Sequence, residues 1–528
     1  MTAPPPNGAR PPDHARKPGG ARKPGGARKD DGVRKDDGAR KPGGMRKDDA
    51  WAVLDKDLGR IDRADLAARF VARPLIGFGL ALAFVAGAAL LASLHLGAGP
   101  MALAVPLAAA LGAYMALNIG ANDMANTMAP AFGARALTMT GALAIAALCE
   151  TAGALLGGGD VVTTIARELV DPAGVAAPGD FILAMLAALT GAALWVNLAT
   201  WLGAPVSTTH AVVGGVIGAG VAAAGMSGID WGAFGVIAAA WMIAPALGGM
   251  IAAGTLWVFN DRIVRQADRI AAAKRWLPIM MGAMAGAFAA FLAVKGLGRL
   301  VDIALPQALT IGGVAGLLAW GGSVPLIARQ ARGLENRTRA LKPLLTVPLV
   351  LSAALLSFAH GASDVSNAIG PVAAVVDAVR QGAAPEMTHA PVWVMLIGAL
   401  GISLGLFLFG PRLVRLVGER ITRLNPIRAF CVAISAAATV LAAAGLGLPV
   451  SSTHVAVGAV FGVGFFREWE AARHGRAAPP MADVTEGRRR RLVRRSHFLT
   501  MVAAWVITAP AAGALSAATF ALASMAAR

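Results

Sequence analysis

Long apolar segments follow one another along most of the chain, separated by short polar stretches. A helix of roughly 18 or more apolar residues can cross a hydrocarbon layer of about 30 Å. We predict such segments near residues 75–98, 102–120, 137–157, 180–203, 204–225, 232–258, 276–295, 306–328, 343–372, 391–410, 428–446, 448–466 and 498–525. Some are expected to be re-entrant hairpins. The predicted fold class is therefore an all-α polytopic membrane protein with about 11–13 transmembrane segments.

The composition supports a membrane protein over a series of soluble domains. Of 528 residues, 56% are hydrophobic and 15% are charged, and the mean hydropathy is +0.62. The two cysteines, Cys149 and Cys431, stand alone inside apolar segments without metal-ligand spacing. This excludes a disulfide framework and a zinc site.

The net charge of +18 lies mainly in the N-terminal tail and in the loops. Residues 1 to about 50 repeat hexads rich in Pro, Gly and mixed charge, which cannot bury a core. We interpret 1–74 as a disordered basic cytoplasmic tail that is weakly attracted to anionic membrane lipids. No folded basic module accompanies it, so no nucleic-acid partner is expected.

The basic residues of the loops predict the orientation of the chain. Segments 259–275, 329–342 and 411–428 carry five Lys/Arg each, and 467–497 carries nine. The segment 158–180 contains a single basic residue, Arg167. Because Lys and Arg are retained in the cytoplasm, thirteen passes starting inside place the basic loops in the cytoplasm. The N-terminus is then cytoplasmic and the C-terminus lies outside.

Two motifs each occur twice. Gly-Ala-Asn-Asp-Met-Ala-Asn at 120–126 matches Gly-Ala-Ser-Asp-Val-Ser-Asn at 361–367, and Pro-Val-Ser-Thr-Thr-His at 205–210 matches Pro-Val-Ser-Ser-Thr-His at 449–454. The offsets, 241 and 244 residues, indicate one duplicated unit. A weaker match pairs Trp241 and Pro245 with Trp505 and Pro510. The segments leading into the first motif run in opposite directions, which predicts inverted-topology repeats with broken helices at both motif pairs.

This duplication predicts how the rest of the chain is divided. We predict an extra N-terminal transmembrane helix in 75–101, repeat 1 in 102–258, a linker with two transmembrane helices in 259–342, and repeat 2 in 343–528, with a basic cytoplasmic insertion at 467–497.

The second motif predicts an anion site. Pro205 and Pro449 can open a helix at its first turn, leaving amides free beside a positive helix end. The hydroxyls that follow add further donors: Ser207, Thr208, Thr209, Ser451, Ser452 and Thr453. Three consecutive hydroxyl residues after a proline suit a small oxyanion, although single Ser or Thr residues often bond back to their own helix.

The aspartates of the first motif predict a coupling-ion site. Asp123 and Asp364 lie in apolar runs and would repel an anion, so they need a cation or a proton. Asp, a flanking amide such as Asn122, and exposed carbonyls are suited to Na⁺, and Asp itself can carry H⁺. A purely structural role, with each Asp paired to a helix N-terminus, is the alternative.

Other polar residues within the apolar segments leave alternatives open. Glu150 could line the pathway or steady a neighbouring helix, and Asn197 is a further buried amide. His210 and His454 could relay protons or act as capping or packing residues.

The two motif pairs closely resemble those of the inorganic phosphate transporter (PiT) family over roughly residues 102–522. The resemblance implies a helical bundle of inverted repeats, commonly dimeric, that imports phosphate with H⁺ or Na⁺. By position, Asp123 and Asp364 would serve cation coupling, while Asn126, Asn367 and the hydroxyl triplets would hold phosphate. Ser363 stands where the family usually has Asn, so the second half-site is expected to coordinate its ion with a hydroxyl.

The expected function is a secondary active importer of inorganic phosphate, or of a metal-phosphate, in the cytoplasmic membrane. It works by alternating access without covalent chemistry or a cofactor beyond the coupling ion. A sulfate permease of the same family is the first alternative. An anion channel would not need the buried aspartates. A membrane-embedded hydrolase would need a nucleophile and base such as Ser207 and His210, but the duplication disfavours it.

Overall fold

The computed structural model describes an all-helical protein that confirms the predicted fold class. It describes residues 76–95, 101, 103–171, 174–175, 177–202, 206–299, 301–381, 390–415, 425–473 and 495–527. Within these ranges, eleven helices are long and apolar enough to cross a membrane. The predicted N-terminal tail and most of the 467–497 insertion lie outside the described residues.

Most helices begin and end within a few residues of the predicted segments, but α2 and α11 run 13 and 9 residues past the predicted ends at 120 and 372. They are α1 (Ile76–Ser93), α2 (Ala104–Gly133), α3 (Met139–Gly157), α4 (Gly159–Thr163), α5 (Pro178–Trp201), α6 (Thr208–Ala224), α7 (Trp231–Phe259), α8 (Arg269–Lys295), α9 (Leu305–Gln330), α10 (Leu341–Leu344), α11 (Thr346–Gln381), α12 (Val392–Arg415), α13 (Pro426–Gly445), α14 (Ser452–Arg473) and α15 (Arg495–Ala527). A π-helical turn, Thr164–Glu168, continues α4.

Two of the longer helices do not meet the length and hydropathy expected of a membrane span. These are α6 and α14, which follow the two Pro-Val-Ser motifs. Their first turns are buried, with Thr208 and Ser452 only 4% and 3% exposed. Each helix therefore begins inside the protein, as expected of the returning arm of a re-entrant hairpin.

The predicted break at the first motif is wrong. Both α2 and α11 run without interruption through Gly120–Asn126 and Gly361–Asn367. Small hydroxyl residues of these segments bond back to carbonyls of the same helix, Thr127 to Met124 and Ser366 to Ser363. These hydroxyls are thus satisfied within the helix, and the continuous helix pairs the backbone groups through both motifs.

The position predicted for the prolines also needs correction. Pro449 precedes Ser452, the first residue of α14, by three positions, so it lies in the connecting turn and not in the first helical turn. Pro205 lies outside the described residues.

The two halves are interlocked through matching contacts. Helix α2 packs against α12, as α11 packs against α3, and α6 packs against α15, as α14 packs against α7. At the centre of the first set, a Cβ on Gly120 would collide with the carbonyl of Ile402, and one on Gly361 with the carbonyl of Glu150. The motif glycines therefore allow close backbone contact between the halves. Because the two glycines occupy equivalent positions, the residues whose carbonyls they approach, Ile402 and Glu150, are equivalent as well.

Candidate functional site

The candidate site lies where the turns before α6 and α14 meet α2 and α11. Both turns are fixed by a serine cap, because Ser207 Oγ accepts the backbone N–H of His210 at 3.2 Å and Ser451 Oγ accepts that of His454 at 3.3 Å. Serine is a strong N-cap because its oxygen pairs with an amide that the helix leaves free. The predicted phosphate residues Ser207 and Ser451 therefore also start their helices.

The next hydroxyls contact the two aspartates. Thr208 Oγ1 donates to Asp123 Oδ2 at 3.3 Å, and Ser452 Oγ donates to Asp364 Oδ2 at 2.6 Å. In addition, Thr453 Oγ1 of the second turn reaches Asp123 Oδ1 at 3.1 Å. Asp123 thus accepts a hydrogen bond from both motif turns, whereas Asp364 accepts one from the second turn only.

The two predicted amides reach across the interface in a matching way. Asn126 Nδ2 donates to Thr453 Oγ1 at 2.9 Å, and Asn367 Nδ2 donates to Thr209 Oγ1 at 3.0 Å. Each bond joins the first motif of one half to the second motif of the other. The structure therefore brings the aspartates, the amides and the hydroxyl triplets of both halves into one cluster.

Sequence reasoning missed His360, which lies at the centre of this cluster. Its side chain is fully buried, with Nε2 at 3.0 Å from Asp364 Oδ2 and 3.9 Å from Asp123 Oδ2. Nδ1 lies 3.1 Å from Glu150 Oε1. A signal was available, because His360 directly precedes the second Gly motif. The offset of 241 residues, however, aligns it with Ile119, so the repeat itself gave no polar counterpart.

The contact with His360 shows which way the Glu150 side chain points. It is 1% exposed on α3 and pairs with His360, so it does not face a lipid or solvent surface. A carboxylate on one ring nitrogen orients a histidine and leaves its other nitrogen directed at the remaining groups. In this arrangement Glu150 fixes the ring that faces both aspartates.

The cluster has the chemistry of a cation site. One oxygen of Asp123, one of Asp364 and one ring nitrogen of His360 lie within 4.8 Å of one another, and all three residues are buried. Among the residues that the structure describes, Asp364 Oδ1, Asn367 Oδ1 and Glu150 Oε2 have no hydrogen-bond partner. Buried acceptors without partners are costly, and a cation or a proton would satisfy them.

Two predicted coupling-ion residues lie at the edge of the cluster. Asn122 is half-buried, and its Nδ2 donates to Thr200 Oγ1 at 3.4 Å, away from the carboxylates. Ser363 Oγ donates to the carbonyl of Val450 at 3.2 Å, in the second motif turn. In this conformation Ser363 joins α11 to that turn.

The other polar residues singled out in the sequence make contacts outside the carboxylate cluster. Asn197 Nδ2 donates to the hydroxyl of Tyr114 at 2.5 Å. The rings of His210 and His454 are in edge contact, with centroids 4.6 Å apart. Cys149 and Cys431 are free thiols, the first half-buried and the second buried.

The comparisons with known proteins agree with this geometry. The family model described as "Phosphate transporter family" matches residues 119–516. Two relatives are named "Putative phosphate permease": that of Helicobacter pylori J99 is 45% identical over 78% of each chain, and that of Pyrococcus abyssi is 34% identical over 74% of this chain and 90% of its own. A solved structure described as "The sodium-dependent phosphate transporter" is 33% identical, with a TM-score of 0.72 over 80% of this chain and 99% of its own. The chain therefore belongs to the phosphate transporter family.

Proposed function

We propose that the protein imports inorganic phosphate together with a cation, H⁺ or Na⁺, by alternating access. The bonds to Asp123 carry this proposal. Its two oxygens accept from Thr208 of one motif turn and Thr453 of the other. The anion-binding hydroxyls and the cation-holding carboxylate are thus in direct contact, so occupancy of one site changes the charge and hydrogen bonding of the other.

The sign of the charges explains why the two ligands would move together. The buried acids Asp123, Asp364 and Glu150 face a single imidazole, that of His360. A phosphate anion placed on Thr208, Thr453 and the neighbouring hydroxyls would be repelled unless a positive charge entered as well. Coupling then follows from electrostatics, since each ligand lowers the cost of burying the other.

Asp123 and Asp364 are the proposed holders of the coupling ion. Carboxylate oxygens are ligands for Na⁺, whereas the imidazole of His360 is suited to a proton or to a divalent metal. A metal-phosphate is therefore the second form in which substrate and cation could enter. The uptake assay described below distinguishes Na⁺, H⁺ and a divalent metal as the cation that enters with phosphate.

Phosphate is favoured over sulfate by the acceptors in the cluster. Sulfate has no proton to donate near neutral pH, whereas hydrogen phosphate has at least one. Asp364 Oδ1 and Asn367 Oδ1 lie beside the hydroxyls as buried acceptors that have no partner within the described part of the chain. A protonated phosphate would satisfy them, as a sulfate would not.

The proposed setting is the cytoplasmic membrane with the N-terminus inside. Loops at 259–275 and 329–342 carry five Lys/Arg each, which favours their retention in the cytoplasm. The two halves would then cross the membrane in opposite directions, as expected of inverted repeats that rock around a shared site. A homodimer in contact with membrane lipids is the proposed assembly.

Covalent chemistry is not part of the proposal. A hydrolase would need Ser207 Oγ to be activated by the His210 ring. Ser207 instead caps α6 by accepting the backbone N–H of His210, and that ring packs 3.8 Å from Trp241 between centroids.

Uptake of labelled phosphate into proteoliposomes tests the proposal, with Na⁺, pH and divalent-metal gradients imposed separately and sulfate as competitor. We expect accumulation above equilibrium with one of these gradients and weak competition by sulfate. Accumulation that follows the membrane potential alone would indicate a channel, and equal competition by sulfate would indicate a general oxyanion permease.

The aspartates are tested in the same assay. Asp123→Asn and Asp364→Asn are each expected to abolish gradient-driven uptake, because the amide carries no negative charge to balance a cation and cannot take up a proton. The exposed Asp261, paired with Arg262 at 3.4 Å, provides the matched control as Asp261→Asn. Intact coupling in both site variants would contradict the assignment.

A further inference from the structure

Both motif turns end in a histidine that the proposed transport cycle does not use. His210 and His454 lie on the first turns of α6 and α14 and are 3% and 2% exposed. They occupy equivalent positions in the duplicated motif, and they meet each other where the halves join. Their contact is therefore a place where the two turns are fixed relative to one another.

Four aromatic rings contact one another in sequence across this junction, in tilted or edge-on arrangements. The His210 ring lies 3.8 Å from that of Trp241 and 4.6 Å from that of His454, and the His454 ring lies 4.0 Å from that of Trp505. The rings come from α7, α6, α14 and α15 in that order, so the stack contains two helices of each half. We call it the four-ring stack.

The four-ring stack is held by packing and not by charge. Within the described residues, no side chain offers a hydrogen-bond partner to any ring nitrogen of His210 or His454. Nor does either ring form an ion pair there. A relay would require a proton donor or acceptor in reach, so the geometry favours the packing interpretation. Aromatic rings in tilted or edge contact attract each other beyond the area that they bury.

A hydrogen bond ties the stack to the backbone of the opposite turn. Trp241 Nε1 donates to the carbonyl of Pro449 at 2.9 Å, which joins α7 of the first half to the second motif turn. Beside it, Thr209 Oγ1 donates to the carbonyl of Val450 at 3.4 Å. The relative position of the two turns is thus set by ring contacts and by bonds to the second turn.

The residues next to the two histidines carry the site. Thr209 precedes His210 and accepts from Asn367, and Thr453 precedes His454 and bridges Asn126 and Asp123. Because a side chain on a helix moves with its neighbour's backbone, a shift of either ring displaces one of these threonines. An error of about an ångström in a binding geometry weakens it strongly.

We infer that His210 and His454 are positioning residues, whose ring contact holds the two motif turns in the register that brings both hydroxyl triplets onto one phosphate. The inference rests on the proposed phosphate transport. It assigns the histidines no contact with phosphate and no proton transfer.

Phosphate uptake kinetics of His210→Ala, His454→Ala and the double variant test this inference. Each single variant is expected to raise the KM about tenfold, the size of losing one buried aromatic pair, with a smaller change in kcat. The double variant is expected to cost less than the sum of the two single changes, because each single change already removes the contact between the two histidines. His210→Phe retains a flat ring but no ionisable nitrogen, and it is expected to keep the KM near that of the wild type.

A matched control removes an aromatic pair outside the site. Phe288 of α8 and Phe358 of α11 are in edge contact at 4.8 Å, and Phe288→Ala is expected to leave the KM unchanged. Thermal unfolding of all variants in detergent follows folding independently of transport. A non-additive shift in unfolding temperature for the histidine pair supports the contact itself.

The outcomes separate this inference from the proposed function. Wild-type protein that does not take up phosphate contradicts both. Wild-type uptake with unaltered KM in the alanine variants contradicts the inference alone. If His210→Phe is as impaired as His210→Ala, the ring nitrogens matter and a positioning role by packing is wrong.

Discussion

The buried pair of His360 and Glu150 has an apolar counterpart in the other half, which leads to the prediction that a double substitution costs less stability than a single one. The contacts of Gly120 and Gly361 align Glu150 with Ile402, and the repeat offset aligns His360 with Ile119. The same backbone arrangement therefore accepts isoleucine at both positions. We expect His360→Ile combined with Glu150→Ile to be better tolerated than His360→Ile alone.

The magnitude follows from the contacts that each change leaves behind. His360→Ile leaves Glu150, 1% exposed, without its 3.1 Å partner. An unpaired buried charge costs about 3–5 kcal/mol. The double variant removes that carboxylate but still deprives Asp364 of the ring, while Asp364 keeps its bond from Ser452. Losing this charged contact costs about 1.5–3 kcal/mol in the single and the double variant alike. The second substitution should therefore restore about 3–5 kcal/mol, the cost of the unpaired Glu150.

Unfolding of purified protein in mixed micelles measures this difference as a double-mutant cycle. Val in place of Ile119 and Ile402 provides the control cycle, in which each change should cost about 1 kcal/mol and the second should not restore what the first costs. The reasoning would be refuted if the double variant were less stable than His360→Ile. Phosphate uptake in the same variants should be lost in either case, because the imidazole facing both aspartates is gone.

Two further predictions follow from the same site. Gly361→Ala should prevent accumulation of folded protein, because a Cβ would collide with the Glu150 carbonyl. Gly313 has open space around it, so Gly313→Ala should be neutral. Membrane expression and gel filtration compare the two variants. Thr453→Val removes bonds to Asp123 and Asn126 and should raise the phosphate KM about 10–100-fold, while Thr508→Val, which loses only a bond to its own helix, should not change it. Equal KM values for these two threonine variants would exclude Thr453 from the site.

Hydropathy was sufficient to predict the helices, because a membrane span is defined by length and by the absence of charge. Predicted segments such as 232–258 and 428–446 differ from α7 and α13 by one or two residues at each end. Periodicity could not show that α2 continues through the Asn and Asp of its motif. That depends on partners from other helices, such as Thr208 and Thr453 at Asp123, which satisfy the polar side chains without breaking the backbone.

The duplication predicted which residues would be equivalent, but not what they would do. It paired Trp241 with Trp505, and the structure places each ring against the histidine of its own half. It gave no reason to single out His360, since a repeat reveals only what both copies retain. Residues that belong to one half alone are found by contact, here by the approach of Gly361 to Glu150.

The difference between the halves bears on which aspartate is central. The first motif retains Asn122, where the second has Ser363, yet Asn122 donates to Thr200 and not to the carboxylates. What distinguishes Asp123 is that it accepts from both motif turns, whereas Asp364 accepts from one and faces His360. Any motion that separates the two motif turns must break a bond to Asp123. The contacts of Asp364 described above all lie within the second half, so the same motion need not break them. If the halves move as proposed for alternating access, Asp123 would be the carboxylate whose hydrogen bonding changes, and Asp364, beside His360, would keep its partners.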